Sequence, residues 1–143
     1  MTNIDKSPKI SDAKKTQYKG EAHFLRGLYY FNLVRLFGDV PWIDKQQTAS
    51  DDLQVSRTSK DIVYQHIIDD FSDAASMLPA VYENTTDIGR ATKGAAFGLL
   101  AKVYLTLKRY NETLVAIDSV TNLGVYSLNR KYEWNFSDLR ENG

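Results

Sequence analysis

The chain has no cysteine in its 143 residues. Disulfides, thiolate metal sites and cysteine nucleophiles are excluded together. It has no surplus of either charge, since 18 Lys and Arg residues balance 18 Asp and Glu residues. Neutralising phosphates needs a cationic excess, so no nucleic-acid partner is expected. The most apolar run, Phe24 to Phe37, is interrupted by Arg26, Asn32 and Arg35. It also falls short of the ~20 apolar residues that cross a bilayer, so no transmembrane segment is expected. The opening stretch, MTNIDKSPKI, lacks an apolar core of signal-peptide length. There is no G-x-S-x-G elbow, Walker A loop, H-E-x-x-H pair or dinucleotide fingerprint. The adjacent carboxylates Asp51-Asp52 and Asp69-Asp70 are sequence neighbours, which do not face one another on a helix as an acid/base pair would. Neither an enzyme nor a cofactor is expected.

Hydrophobic residues at 43% and charged residues at 25% are those of a globular protein. The length suits one domain, so residues 1–143 are read as a single unit. Charge is segregated: net +4 over residues 1–38, −7 over 39–89 and +3 over 90–143. The acidic middle can pack between the basic flanks, face a cationic partner, or form a solvated surface, the favoured reading.

The spacing predicts four main helices, near 11–37, 59–78, 92–108 and 112–122, and an irregular tail. On the first, Tyr18, Ala22, Leu25, Tyr29, Leu33 and Leu36 recur at intervals of four and three and are the expected buried stripe. Gly38 and Pro41 end it, the glycine as a left-handed cap. On the second, Tyr64, Ile67, Phe71, Ala74 and Leu78 face inward, and Thr58 with Asp61 has the spacing of a capping box. Thr92 caps the third, which is rich in small residues: Ala95, Ala96, Gly98 and Ala101. Asn111 is the expected cap of the fourth, with Leu114, Ile117 and Val120 or Thr121 inward and Gly124 at its end. Phe31, Leu100, Tyr104 and Ile117 are the expected core. Arg26 lies in a buried helix and needs a carboxylate or carbonyl partner. His66, Asp70 and Asp73 share a helix face, read as solvated surface rather than a metal site. His23 has no evident partner.

Phe97, Leu100, Ala101 and Tyr104 stand at the W-x2-L-G-x2-Y positions of the tetratricopeptide repeat, and Thr113, Ile117 and Val120 at those of its second helix. Ala101 and Lys108 replace the two expected glycines. The fold class is therefore all-α, built of tetratricopeptide-like helical hairpins in an α-α superhelix.

Four blocks sharpen this reading. GEAHFLRGLYYFNLVRLFGDVPWI (Gly20–Ile43), SRTSKDIVYQHIIDDFSDAASMLP, GRATKGAAFGLLAKVYLTLKRY and LGVYSL with its aromatic tail resemble the SusD/RagB family, in family order, across about residues 18–137. The resemblance implies a glycan-binding lipoprotein at the outer membrane of Bacteroidetes-type bacteria. It also implies a TonB-dependent porin as partner and oligosaccharides as ligand. Members of that family are several times longer and carry an acylated cysteine, so the chain is read as an internal or truncated fragment. Sugars stack on aromatic faces, and Trp42, Tyr82 and Trp134 lie in expected loops. They are the candidate ligand-binding residues, set against the alternative that they anchor those loops on the core. The rival function is a free-standing tetratricopeptide-like adaptor that binds a peptide in a helical groove.

Overall fold

The structure is a computed structural model that describes residues 3–48, 50, 54–128 and 130–133. Among these residues there are four α-helices: α1 (Asp12–Phe37), α2 (Lys60–Met77), α3 (Lys93–Thr106) and α4 (Tyr110–Thr121). Short 3-10 turns precede α1 (Ile4–Lys6) and α3 (Thr85–Asp87). The only β feature among the described residues is one antiparallel bridge between Val40 and Thr58. Each helix packs on the next in sequence, α1 on α2, α2 on α3 and α3 on α4, the tetratricopeptide-like arrangement expected from the sequence.

The ends follow local chemistry. Ser11 accepts a hydrogen bond from the Lys14 amide at the start of α1, and Thr92 one from the Ala95 amide at the start of α3, satisfying donors that lack partners inside the helix. Gly38 and Gly124 adopt φ of 68° beyond α1 and α4. The Thr58–Asp61 capping box does not form. Thr58 is drawn into the bridge with Val40, and the Asp39 carboxylate accepts from the Lys60 amide at 2.8 Å instead. Asn111 does not cap α4, because Tyr110 already lies inside the helix and Arg109 precedes it. Lys108 turns the chain between α3 and α4 at φ 59°, in place of the turn glycine of the repeat.

The core lies between α1, α2 and α3. Phe31, Val63, Ile67, Phe71 and Val103 are buried there, with Leu100, Ala101 and Ala116 beside them. A second cluster joins Ala74, Ala75 and Leu78 of the α2 end to Ala96 of α3. On α2, Ile67, Phe71, Ala74 and Leu78 are inward as expected, with Tyr64 half-buried.

The expected stripe of α1 is on the wrong side. Tyr18, Ala22, Leu25, Tyr29, Leu33 and Leu36 are exposed, and the buried positions are Gly20, Gly27, Phe31 and Val34. The reason is close approach. A side chain at Gly27 would meet the Phe71 ring at 3.1 Å, and one at Gly20 would meet Met77 at 2.9 Å. α2 therefore seats along the face that carries Gly20 and Gly27 together with Phe31 and Val34, and the six residues of the expected stripe are left outside. α4 repeats the pattern. Thr113 and Ala116 are buried, while Leu114 and Ile117 are exposed and the expected core residue Tyr104 is half-buried.

Candidate functional site

Two polar clusters tie the chain's segments together. In the first, Arg26 of α1 donates from Nε and Nη2 to the two oxygens of Asp70 on α2, at 2.8 and 2.7 Å. His23 Nδ1 lies 2.7 Å from the same carboxylate. Asp70 is 2% exposed. Burial pushes its pKa up, but the hydrogen bonds from His23 and Arg26 outweigh this and hold it below the ordinary value. The Asp70 bond in turn raises Arg26. The acidic middle thus supplies the partner that Arg26 requires. Two expectations are corrected: Asp70 is not on a solvated face, and His23 does have a partner. With Asp70 turned inward, the His66, Asp70 and Asp73 face is broken up. No group of His, Asp and Glu among the described residues is placed to hold a metal.

Trp42 packs above this cluster. Its ring stacks on His66 at 4.5 Å, tilts against Tyr30 at 4.2 Å and lies 5.0 Å from the Arg26 guanidinium carbon. The Tyr30 hydroxyl donates to the Pro41 carbonyl and accepts from the Ile43 amide. Ring and loop are held by the same aromatic, and Trp42 is half-buried.

The second cluster fastens the loop before α3. Arg90 donates to both oxygens of Glu21 on α1, at 2.8 and 2.6 Å. Gln17 donates to Glu21 at 2.8 Å. The Tyr82 hydroxyl reaches the Ala91 carbonyl at 2.8 Å and Glu21 at 3.3 Å. Burial raises Glu21, but the bond from Arg90 prevails and its pKa falls below the ordinary value. Burial and the Glu21 charge push the Tyr82 phenol up.

Clefts open beside α1. One of about 460 Å3 is bordered by Tyr18 and Lys19 of α1 and by Asp44, Lys45 and Gln46 of the following loop. Another of about 460 Å3 is bordered by Glu21, Phe24, Leu25 and Arg90. Of the three candidate aromatics, Trp42 belongs to the first cluster and Tyr82 to the second, and Trp134 lies outside the described residues. Neither Trp42 nor Tyr82 borders either of these clefts. Tyr18, expected in the buried stripe of α1, instead borders the first cleft.

A family profile described as "Starch-binding associating with outer membrane" matches residues 2–105. A SusD-like protein of Bacteroides ovatus is 36% identical over 71% of this chain and 18% of its own length. The fold is similar to the crystal structure of a SusD-like protein from Bacteroides fragilis, with a TM-score of 0.78 at 39% identity, over 84% of this chain and 23% of that one. It is also similar to a laminarin-binding SusD-like protein, with a TM-score of 0.85 at 28% identity, over 96% of this chain and 31% of that one. The chain spans between 17% and 25% of the length of four curated SusD-like relatives that it matches. No helix among the described residues is long and apolar enough to cross a membrane. With the profile covering most of the chain and the helical order shared with these structures, the chain belongs to the SusD-like family.

Proposed function

We propose that this chain is one helical unit, residues 1–143, of a longer glycan-binding protein. That protein would sit at the cell surface, on the outer membrane, and pass oligosaccharides to a TonB-dependent porin. The observation that carries the reading is the starch-binding family profile over residues 2–105. The laminarin-binding structural relative supports it. The reading is one of binding, and Asp70, nearly fully buried, serves it as a structural anchor, paired with Arg26 and His23.

Trp42, Tyr82 and Trp134 remain the candidate sugar-contacting aromatics in this reading. Trp42 and Tyr82 are half-buried, so each would offer a ligand its outer edge while bracing its loop. Affinity electrophoresis through gels containing starch, laminarin or other plant and host glycans tests the function. A protein of the family's full length carrying these residues should be retarded by at least one neutral polysaccharide. Free migration through every gel would refute the reading.

A further inference from the structure

The cleft beside Tyr18 has the parts of a sugar subsite. Its volume of about 460 Å3 falls in the range of small-ligand sites, roughly 300–1,000 Å3. Tyr18 is 37% exposed. The Arg90 guanidinium carbon lies 5.6 Å from its ring centroid, and Arg90 is itself gripped by Glu21 through two hydrogen bonds. The ring is thereby braced before any ligand arrives, which lowers the ordering cost of binding. Across the cleft, the Asn3 amide donates to the Gln46 side-chain oxygen at 3.0 Å. This orients two planar amides whose remaining donors and acceptors suit hydroxyl groups.

Charge narrows the ligand. Lys19 is neutralised by Asp5 at 2.6 Å. Asp44 and Lys45 form no ion pair among the described residues, and their charges cancel. A uronate or sulfate would meet Asp44 without a surplus cation to receive it. We propose that this cleft binds a short neutral oligosaccharide, stacked on Tyr18 and hydrogen-bonded by Asp44, Lys45, Gln46 and Asn3. The proposal rests on the glycan-binding reading and locates one of its contacts.

Amide chemical-shift titration of the 143-residue chain tests it, with a malto-oligosaccharide, a laminari-oligosaccharide and an oligogalacturonide as probes. Binding of a neutral saccharide should shift the amides of residues 18, 19 and 44–46. Tyr18→Ala should weaken it by about three- to tenfold, the range for loss of one stacking ring. Tyr18→Phe keeps the ring and should bind as the parent does. Shifts centred on Trp42 or Tyr82 instead would overturn the cleft and leave the glycan reading standing. So would a folded Tyr18→Ala that binds unchanged. Tighter binding of the oligogalacturonide would overturn the neutral assignment. No saccharide-dependent shift at all would remove the cleft, and the family-length protein in the polysaccharide gels would decide the broader reading separately.

Discussion

Asp70 is where α1 and α2 are locked in register. It accepts two bonds from Arg26, so removing it strands a partly buried guanidinium. Asp70→Ala should therefore cost about 3–5 kcal/mol, read as a lower urea midpoint. The pH dependence has a definite sign. The folded pKa of Asp70 lies below its ordinary 3.8, so this stabilisation is present above that value and drains away as pH falls through the lower folded one. Urea titrations at pH 6 and at successive values below 4 should show the loss, and Asp70→Asn should blunt it. Lys108 is a second residue-level case. Its φ of 59° costs an L-residue about 1–2 kcal/mol, while glycine gives back about 0.5–1 kcal/mol of chain entropy. Lys108→Gly should stabilise by about 0.5–1 kcal/mol, and a lower unfolding midpoint would contradict the strain. The need of Arg26 for an acid was legible in the sequence. Which acid was not, since the two residues are 44 positions apart and only the α1–α2 packing brings them together.

At the scale of the element, glycine decides which face is buried. α1 is apolar nearly all round between Leu28 and Phe37, so periodicity alone cannot choose a face. The choice falls to the side where Gly20 and Gly27 let α2 approach. Gly27→Ala gains about 1 kcal/mol of helix propensity. It also presses a methyl onto the fully buried Phe71, where overpacking costs about 1–3 kcal/mol. The net expectation is destabilisation by thermal denaturation, and a raised melting temperature would show that the two helices have room to spare. On the α3–α4 hairpin, Leu100 is 6% exposed and Ile117 is 47% exposed. Leu100→Ala should cost about 2–5 kcal/mol, and Ile117→Ala less than about 1 kcal/mol on its half-exposed surface. Equal losses would return Ile117 to the core. Helix existence and order were readable because caps and breakers such as Thr92, Gly38 and Pro41 act locally. The face of α2 was readable too, but those of α1 and α4 were not, because a small residue signals close packing only once its neighbour is known.

Across the whole molecule, large apolar residues lie exposed on both outer helices. On α1 these include Tyr29 at 65% and Leu36 at 74%, and on α4 Leu114 at 62% and Val115 at 66%. Repeat arrays bury such faces against neighbouring units. The isolated chain should accordingly bind an apolar dye and unfold over a broad transition, and a sharp transition without dye binding would contradict that. The family itself was legible from four sequence blocks in order. The arrangement of aromatics was less so, because Trp42 and Tyr82 are drawn into separate polar clusters by residues distant in sequence. In the proposed reading, these helices scaffold a glycan site that other parts of a family-length protein complete. Calorimetric titration tests it most directly, comparing the 143-residue chain with a protein of the family's full length that carries it, against the same neutral oligosaccharides. The longer protein should bind measurably, and the short chain at least about tenfold more weakly, because the Tyr18 cleft alone offers only part of the groups that converge on a full site. Equal affinities would place the whole site within these residues, and no binding by either protein would contradict the glycan function.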